Sequence, residues 1–511
     1  MLSKLKKNAL LLFFILLKFV IQYQLVDPVY DLHRDEFLHL DQGQHLAAGY
    51  ISVPPLSSWV AWLITQLGNG VFWIRFFPAL FGALTLVLVW KAIEELKGGM
   101  YAFVLGALCV VFSALLRLNI LFQPNSFDVL AWTFVYFCAL KYCSTEKNKW
   151  LWLAAIGFAF GMLNKYNIAF QLLGLLPALL LTTQRNVFFK PVFYVALLVA
   201  FIVISPNLYW QYKHGFPVVH HMQELTSTQL VNASRADFLK EQLLYFMGGL
   251  PVLIAGFLSI MFYPPFRQYL LLLYSFLFTI LLFLYFQAKG YYAMGIYPVF
   301  IAFGAVWFER WAQQGWKLYV IRPLLIILPV LLFIPMKDRA FPTRSPDEIV
   351  ADKSLQKKMG LHRWEDGKEH AISQDFADML GWKELAGIVD SAYATIPDKE
   401  NCLVRCDNYG QAGAINYYSR FPGINALSYN ADYINWFPKN IQWKSMILVK
   451  EAGESDAGRQ REQPYFDSIF LRGKVSNEFA REKGTAIFVL LRAKPAFTPI
   501  VNKEVEERKV Y

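Results

Sequence analysis

Residues Leu32 to Leu56 read LHRDEFLHLDQGQHLAAGYISVPPL. They bring Arg34, Asp35, Glu36, Asp41 and the histidines 33, 39 and 45 together directly after the first long apolar run. The chain around them is 56% hydrophobic and only 17% charged over 511 residues. Ionisable groups held at a bilayer are costly, face wet cavities and mark chemistry. This stretch divides the sequence into a part that reads as membrane and residues that read as reactive.

Working outward, residues 1 to about 336 form a series of apolar runs of the length a hydrocarbon core demands, roughly 20 residues each. The runs fall near 8–26, 71–92, 99–117, 126–143, 150–164, 166–182, 190–209, 240–263, 267–287, 290–308 and 318–336, which predicts about 11 transmembrane helices. The N-terminal run lacks a small-residue cleavage site and holds Lys18, so it reads as a retained first helix. Pro55 to Leu67 reads as an amphipathic segment along the interface. Lys4, Lys6, Lys7, Lys91, Lys97, Lys141, Lys147, Lys149, Arg185, Lys190, Arg267, Arg310, Lys317 and Arg322 all fall on one side of this arrangement. The bias of cations toward the cytoplasm puts the N-terminus inside. The loop 27–70, the loop 210–239 and the C-terminal part then lie outside.

From Lys337 onward the composition is that of a water-soluble domain, so the expected domains are 1–336 in the membrane and 337–511 as a separate extracytoplasmic α/β unit. Strand-like runs begin at Cys402, Ser445 and Thr485, and Asp407-Asn408-Tyr409-Gly410 reads as a turn entering a helix. The net charge of +11 sits in short loops without a basic aromatic stripe, which argues against nucleic acid as a partner. Cys109, Cys138 and Cys143 lie in apolar runs as packing residues. Cys402 and Cys406, four residues apart along a strand, are awkwardly placed for a disulfide bridge, and a metal site there would need further partners that are not near.

Asp35 and Glu36 point about 100° apart on a helix, so they divide the work. Asp35 is the candidate general base, with partial desolvation expected to raise its pKa toward the working range. Glu36 is grouped with it at the catalytic centre and orients the loop. The plain alternative for both is an acidic first turn complementing a helix dipole. Lys165-Tyr166 and Lys289-Gly290-Tyr291-Tyr292 stand at outer helix ends, where cations are otherwise scarce. Lysine offers a point charge and tyrosine a hydrogen bond to a phosphate, so Arg34, Lys165, Tyr166, Lys289 and Tyr292 are candidate phosphate ligands. Snorkelling to headgroups is the alternative for the lysines. Asp128 is a candidate substrate contact or a helix cap. His220 and His221 are candidate substrate contacts. With His33, His39 and Glu36 they also make the only candidate set for a divalent metal.

The order His33-Arg34-Asp35-Glu36, Gly49-Tyr50, Pro54-Pro55-Leu56, Gln123-Pro124 with Asp128, Asn164-Lys165-Tyr166, Ser205-Pro206-Asn207 with Trp210 and Gly215-Phe216-Pro217, and Lys289 with Tyr297-Pro298 resembles a known pattern. It is that of glycosyltransferase family 39 and the protein O-mannosyltransferases, membrane enzymes of the GT-C type. The similarity is greatest to the bacterial branch with aminoarabinose transferases and Rhizobium lipopolysaccharide core transferases. The resemblance spans most of 30–300. It implies an α-helical polytopic fold with an appended α/β domain, in a bacterial cytoplasmic membrane. It implies transfer of a sugar from a polyprenyl-phosphate carrier to a lipid, glycan or protein acceptor at the outer face. It places Asp35 at the catalytic centre and makes Tyr50 a candidate substrate contact. Val53-Pro54-Pro55 departs from the pattern, where an acidic residue or histidine is expected before the prolines. A transporter or lipid flippase is the rival reading. Such proteins show inverted repeats and broken helices near the midplane; the sequence is expected to have neither, and its polar residues gather at one face.

Overall fold

The computed structural model describes residues 4–228, 234–352, 362–453, 456 and 458–509. Each of the eleven apolar runs contains helix, beginning with Lys4–Tyr23 and ending with Arg322–Ala340. Among the described residues, length and apolarity alone qualify four helices to cross a membrane: Val71–Glu95, Pro191–Lys213, Pro264–Tyr285 and Lys317–Ala340. The number reaches seven when three sharply bent pairs each count as one span. The expectation of about 11 treated every run as one straight helix. Met100–Val111 and Lys149–Met162 are short, and Arg235–Leu244 bends by 70° into Met247–Phe262. The bend at Gly290–Ile296 and Pro298–Trp311 is 53°. Broken helices at these positions expose backbone beside polar side chains, where a ligand can use it.

The C-terminal part builds one five-stranded sheet. Its strands are β1 (Cys402–Cys406), β2 (Ala426–Ser428), β3 (Ser445–Lys450), β4 (Phe466–Lys474) and β5 (Ala486–Ala493), in the order β2-β1-β3-β5-β4. β1 runs parallel to β2 and β3, while β5 is antiparallel to β3 and β4. The three strand runs read in the sequence are β1, β3 and β5. β2 is only three residues long, and β4 is mostly exposed with only the short run Ile469-Phe470-Leu471 apolar between polar residues, so neither stands out as a strand in the sequence. Cys402 and Cys406 are both free thiols, buried in the same strand.

This sheet does not stand apart from the membrane part. The helix Arg34–Gln44 of the first loop lies against the helix Tyr409–Tyr418 and shares its core. Phe37 is fully buried, edge-on to Trp382 and to Tyr418 with both ring centroids at 5.7 Å. Such a ring contributes roughly 1.5–3 kcal/mol by burial. Asp41 accepts hydrogen bonds from Tyr433 Oη at 2.6 Å and Asn416 Nδ2 at 2.8 Å, and Asp432 accepts from Gln42 Nε2 at 2.8 Å. The helix Leu56–Gln66 follows, with Ala61 and Ile64 buried and Trp59, Trp62 and Leu63 exposed, an apolar face suited to an interface.

Candidate active site

The first loop is fixed at its helix start. His33 Nδ1 accepts from the Asp35 amide at 3.2 Å, while Glu36 Oε2 accepts from the His33 amide at 2.7 Å, closing a reciprocal cap. Glu36 is fully buried and turns away from any solvent. Its Oε1 takes Arg75 Nη1 at 2.6 Å and the Phe122 amide at 2.6 Å. Arg75 also donates to the carbonyl of Ile120. Glu36 therefore anchors the loop to the helix Val71–Glu95 and to the turn before Pro124. Its partner is Arg75, not Arg34 or a substrate hydroxyl, and it holds no position from which to meet a reacting group.

Asp35 faces the other way, with its side chain 39% exposed. Tyr409 Oη donates to Oδ1 at 2.7 Å and Gln123 Nε2 to Oδ2 at 3.0 Å. Burial pushes the Asp35 pKa up, but His33, the Tyr409 hydroxyl, Arg34 and His39 together hold it below the usual carboxylate range. The expected upward shift is thus reversed. Desolvation is present, and the surrounding cations and donors outweigh it.

From Asp35 a line of hydrogen bonds runs to the first lysine. Gln123 Oε1 accepts from Asn125 Nδ2 at 3.0 Å, and Asn125 Oδ1 accepts from Lys165 Nζ at 2.7 Å. The Lys165 ammonium sits 4.4 Å from the Tyr292 ring centroid and 4.9 Å from that of Tyr291. Burial draws its pKa down to about 8, Asp128 pulls the other way, and the nearby charge of Lys289 depresses it further. Lys289 pairs with Glu365 of the C-terminal part, at 3.6 Å. Asp35, Lys165, Lys289 and Tyr292 thus meet at one end of the helix bundle, beneath the sheet domain.

Several expected residues face elsewhere. Arg34 lays its guanidinium over the Tyr409 ring at 4.3 Å and so belongs to the docking of the C-terminal part. The Tyr166 hydroxyl donates to Asn207 Oδ1 at 2.7 Å, and Asn207 Nδ2 donates to the Ala48 carbonyl at 2.9 Å. That bond ties Ser205-Pro206-Asn207 to the first loop. Beside it, a Cβ at Gly49 would lie 2.6 Å from Trp210, so only glycine lets the two segments touch. Tyr50 is buried, its hydroxyl donating to the carbonyls of Gln42 and His45 at 3.0 Å each. Asp128 is buried next to Lys165, accepting from Trp132 Nε1 and Asn167 Nδ2 at 3.1 Å each. It balances the lysine from within the bundle and offers no open face to a substrate.

His220 and His221 ride on the helix Pro217–Thr228. Among the described residues no group of three His, Cys, Asp or Glu side chains converges as a metal site. Glu36 is spent on Arg75, and His39 Nδ1 meets Gln42 Oε1 at 3.0 Å. The proposed metal set is therefore not assembled. Sequence reasoning passed over Gln123, Asn125, Tyr291 and Tyr409 as site residues. Gln123 and Asn125 carried a signal, as polar residues flanking a proline at a helix start, whereas Tyr409 carried none.

The sequence matches the family described as dolichyl-phosphate-mannose-protein mannosyltransferase over residues 52–210. The match takes in Gln123, Asn125 and Lys165. A curated relative, lipid A galacturonosyltransferase RgtD of Rhizobium johnstonii, is 27% identical over 200 residues, 38% of this chain and 41% of that protein. The chain thus aligns with less than half of that relative's length. ArnT from Cupriavidus metallidurans shares the fold in its apo state, with a TM-score of 0.62, 13% identity, 94% of this chain and 98% of that one covered. Its structure bound to undecaprenyl phosphate gives a TM-score of 0.61 at the same identity and coverage. A likeness that runs almost end to end shows that the chain has the ArnT fold, and the partial match to the mannosyltransferase family takes in three of the four residues of the Asp35–Lys165 line.

Proposed function

We propose that this protein is a membrane glycosyltransferase that takes a sugar from a polyprenyl-phosphate carrier and delivers it to an acceptor on the outer face of a bacterial cytoplasmic membrane. The observation that carries the reading is the hydrogen-bonded line from Asp35 through Gln123 and Asn125 to Lys165. It sets a carboxylate and an ammonium at a fixed separation, as a phosphosugar with a reacting carbon between acceptor and phosphate requires. An undecaprenyl-phosphate sugar is the proposed donor, on the example of the ArnT complex. Lipid A is the proposed acceptor and galacturonate the first sugar to test, on the name of RgtD. The N-terminus lies in the cytoplasm and the sheet domain outside.

The reaction is a single displacement with inversion. The acceptor hydroxyl oxygen forms a bond to the anomeric carbon as the bond from that carbon to the phosphate oxygen breaks. The electron pair leaves on the lipid phosphate, where Lys165 and Lys289 stabilise the growing charge, with Tyr292 beside them. Preorganised charge of this kind is commonly the largest catalytic contribution. Asp35 enters as a carboxylate and aligns the hydroxyl by accepting its hydrogen bond. Its low basicity makes proton transfer late, once the attacking oxygen has become acidic through bond formation.

The test uses undecaprenyl-phosphate galacturonate with a labelled sugar and lipid A, in detergent with no gradient. Wild type transfers label, and Asp35→Asn loses about 10²–10⁴-fold in rate while still binding undecaprenyl phosphate. Full turnover by Asp35→Asn removes the carboxylate from its role.

A further inference from the structure

We propose that Tyr409, from the C-terminal domain, is a positioning residue for the reacting carboxylate, so that the active site is complete only when that domain is docked. The assignment rests on the reading of Asp35 as that carboxylate. Tyr409 Oη lies 2.7 Å from Asp35 Oδ1, at a sequence separation of 374. Burial, and then the charge of Asp35, push the Tyr409 hydroxyl well above its ordinary pKa, so it is a permanent donor.

The hydroxyl is rigidly presented. Tyr409 opens the helix Tyr409–Tyr418, and Asn408 caps that helix by accepting from the Gln411 amide at 3.0 Å. Asn408 is itself buried, its Nδ2 held by Glu451 Oε1 at 2.6 Å and Glu482 Oε1 at 3.1 Å, and Gln411 Nε2 meets Glu482 Oε2 at 2.6 Å. The ring is clamped from the loop side by Arg34, 4.3 Å from its centroid. Gly410 makes that approach feasible, since a Cβ there would lie 2.6 Å from Arg34 Cγ. Two neighbouring loop residues, Arg34 and Asp35, thus grip one tyrosine by its face and its hydroxyl.

The consequence is a division of the carboxylate. Tyr409 holds Oδ1 and Gln123 holds Oδ2, which fixes its plane and leaves one lone pair on each oxygen for an acceptor hydroxyl. The domain does not need Tyr409 in order to dock. Asp31 accepts the amides of Trp382 and Lys383 at 3.1 and 3.3 Å, and Tyr433, Asn416 and Asp432 hold the far end of the loop helix. A bond this specific at a junction already secured serves the carboxylate.

Tyr409→Phe keeps the ring for Arg34 and removes only the hydroxyl. The readout is the protonation midpoint of Asp35 in the full-length protein, taken as the carboxyl infrared band that Asp35→Asn removes. This measurement needs no substrate, so it stands whether or not galacturonate is the sugar. Loss of a charge-assisted bond raises the midpoint in Tyr409→Phe by about one pH unit. Tyr433→Phe, which strips a hydroxyl from Asp41 in the same junction, leaves it where it was. In the transfer assay the acid limb of kcat/KM moves by the same amount. An unmoved midpoint in Tyr409→Phe, or an equal shift in Tyr433→Phe, overturns the assignment. A wild type inert on every acceptor, with the midpoint shifted as stated, would instead count against the transferase reading alone.

Discussion

Glu36→Gln separates two adjacent acids that the sequence groups together. In the structure Glu36 is fully buried and takes three donors, from Arg75, Phe122 and His33, at 2.6, 2.6 and 2.7 Å. Neutralising it leaves the Arg75 guanidinium, whose side chain is 10% exposed, without its counter-charge. Breaking a buried pair from one side costs about 3–5 kcal/mol. The amide also turns an NH₂ toward one of the donors, a cost contained within that range. Asp35→Asn touches a side chain 39% exposed; its one amide oxygen keeps one of the two donors, and with the Tyr409 hydroxyl free to rotate and accept from the NH₂ the cost should stay at ~1 kcal/mol. Thermal unfolding of the full-length protein in detergent reads both. The expected result is a fall of several degrees for Glu36→Gln, a small change for Asp35→Asn, and partial recovery in Glu36→Gln/Arg75→Met. If Glu36→Gln unfolds like wild type yet loses transfer, Glu36 takes part in the chemistry and the anchoring argument fails.

Two further outcomes follow from charge. Lys165, with a pKa of about 8, carries its charge below that pH and loses it above. Affinity for undecaprenyl phosphate, measured by tryptophan fluorescence, should decline between pH 7.5 and 9.5 in wild type and stay flat in Lys165→Arg; an equal decline in both would clear Lys165 of phosphate contact. Asp432, 2% exposed, has its pKa raised by burial to about 6, against roughly 3.9 in an unfolded chain. The native state then binds the extra proton between these values, so this group's share of stability falls as pH rises from about 4 through 6. Asp432→Asn should flatten that part of the melting profile, and an unchanged slope would show that the carboxyl titrates alike in both states.

The membrane bundle was legible because apolar runs announce themselves one by one, and the first loop because charge is conspicuous in such a chain. Asp407-Asn408-Tyr409-Gly410 also read correctly as a turn into a helix. What the tyrosine of that turn touches was not legible, since its partner lies in the first loop and no periodicity links the two. Arg75 was hidden for the opposite reason: one cation inside a long apolar run reads as a blemish until Glu36 is seen opposite it. The direction of the Asp35 shift was misjudged on the same ground. Desolvation can be inferred from local sequence, whereas the donors that outweigh it come from distant segments. Straight helices were assumed where the chain bends, as at Gly290–Ile296, because composition does not register an angle.

The Lys289–Glu365 pair, open at 3.6 Å and with the Glu365 side chain 45% exposed, has a bearing on turnover. On the proposed reading, an anionic headgroup arriving at Lys289 displaces a resident counterion instead of meeting a bare cation. Its grip is then the difference between two ion pairs. The spent carrier leaves by the reverse exchange, with Glu365 returning to Lys289.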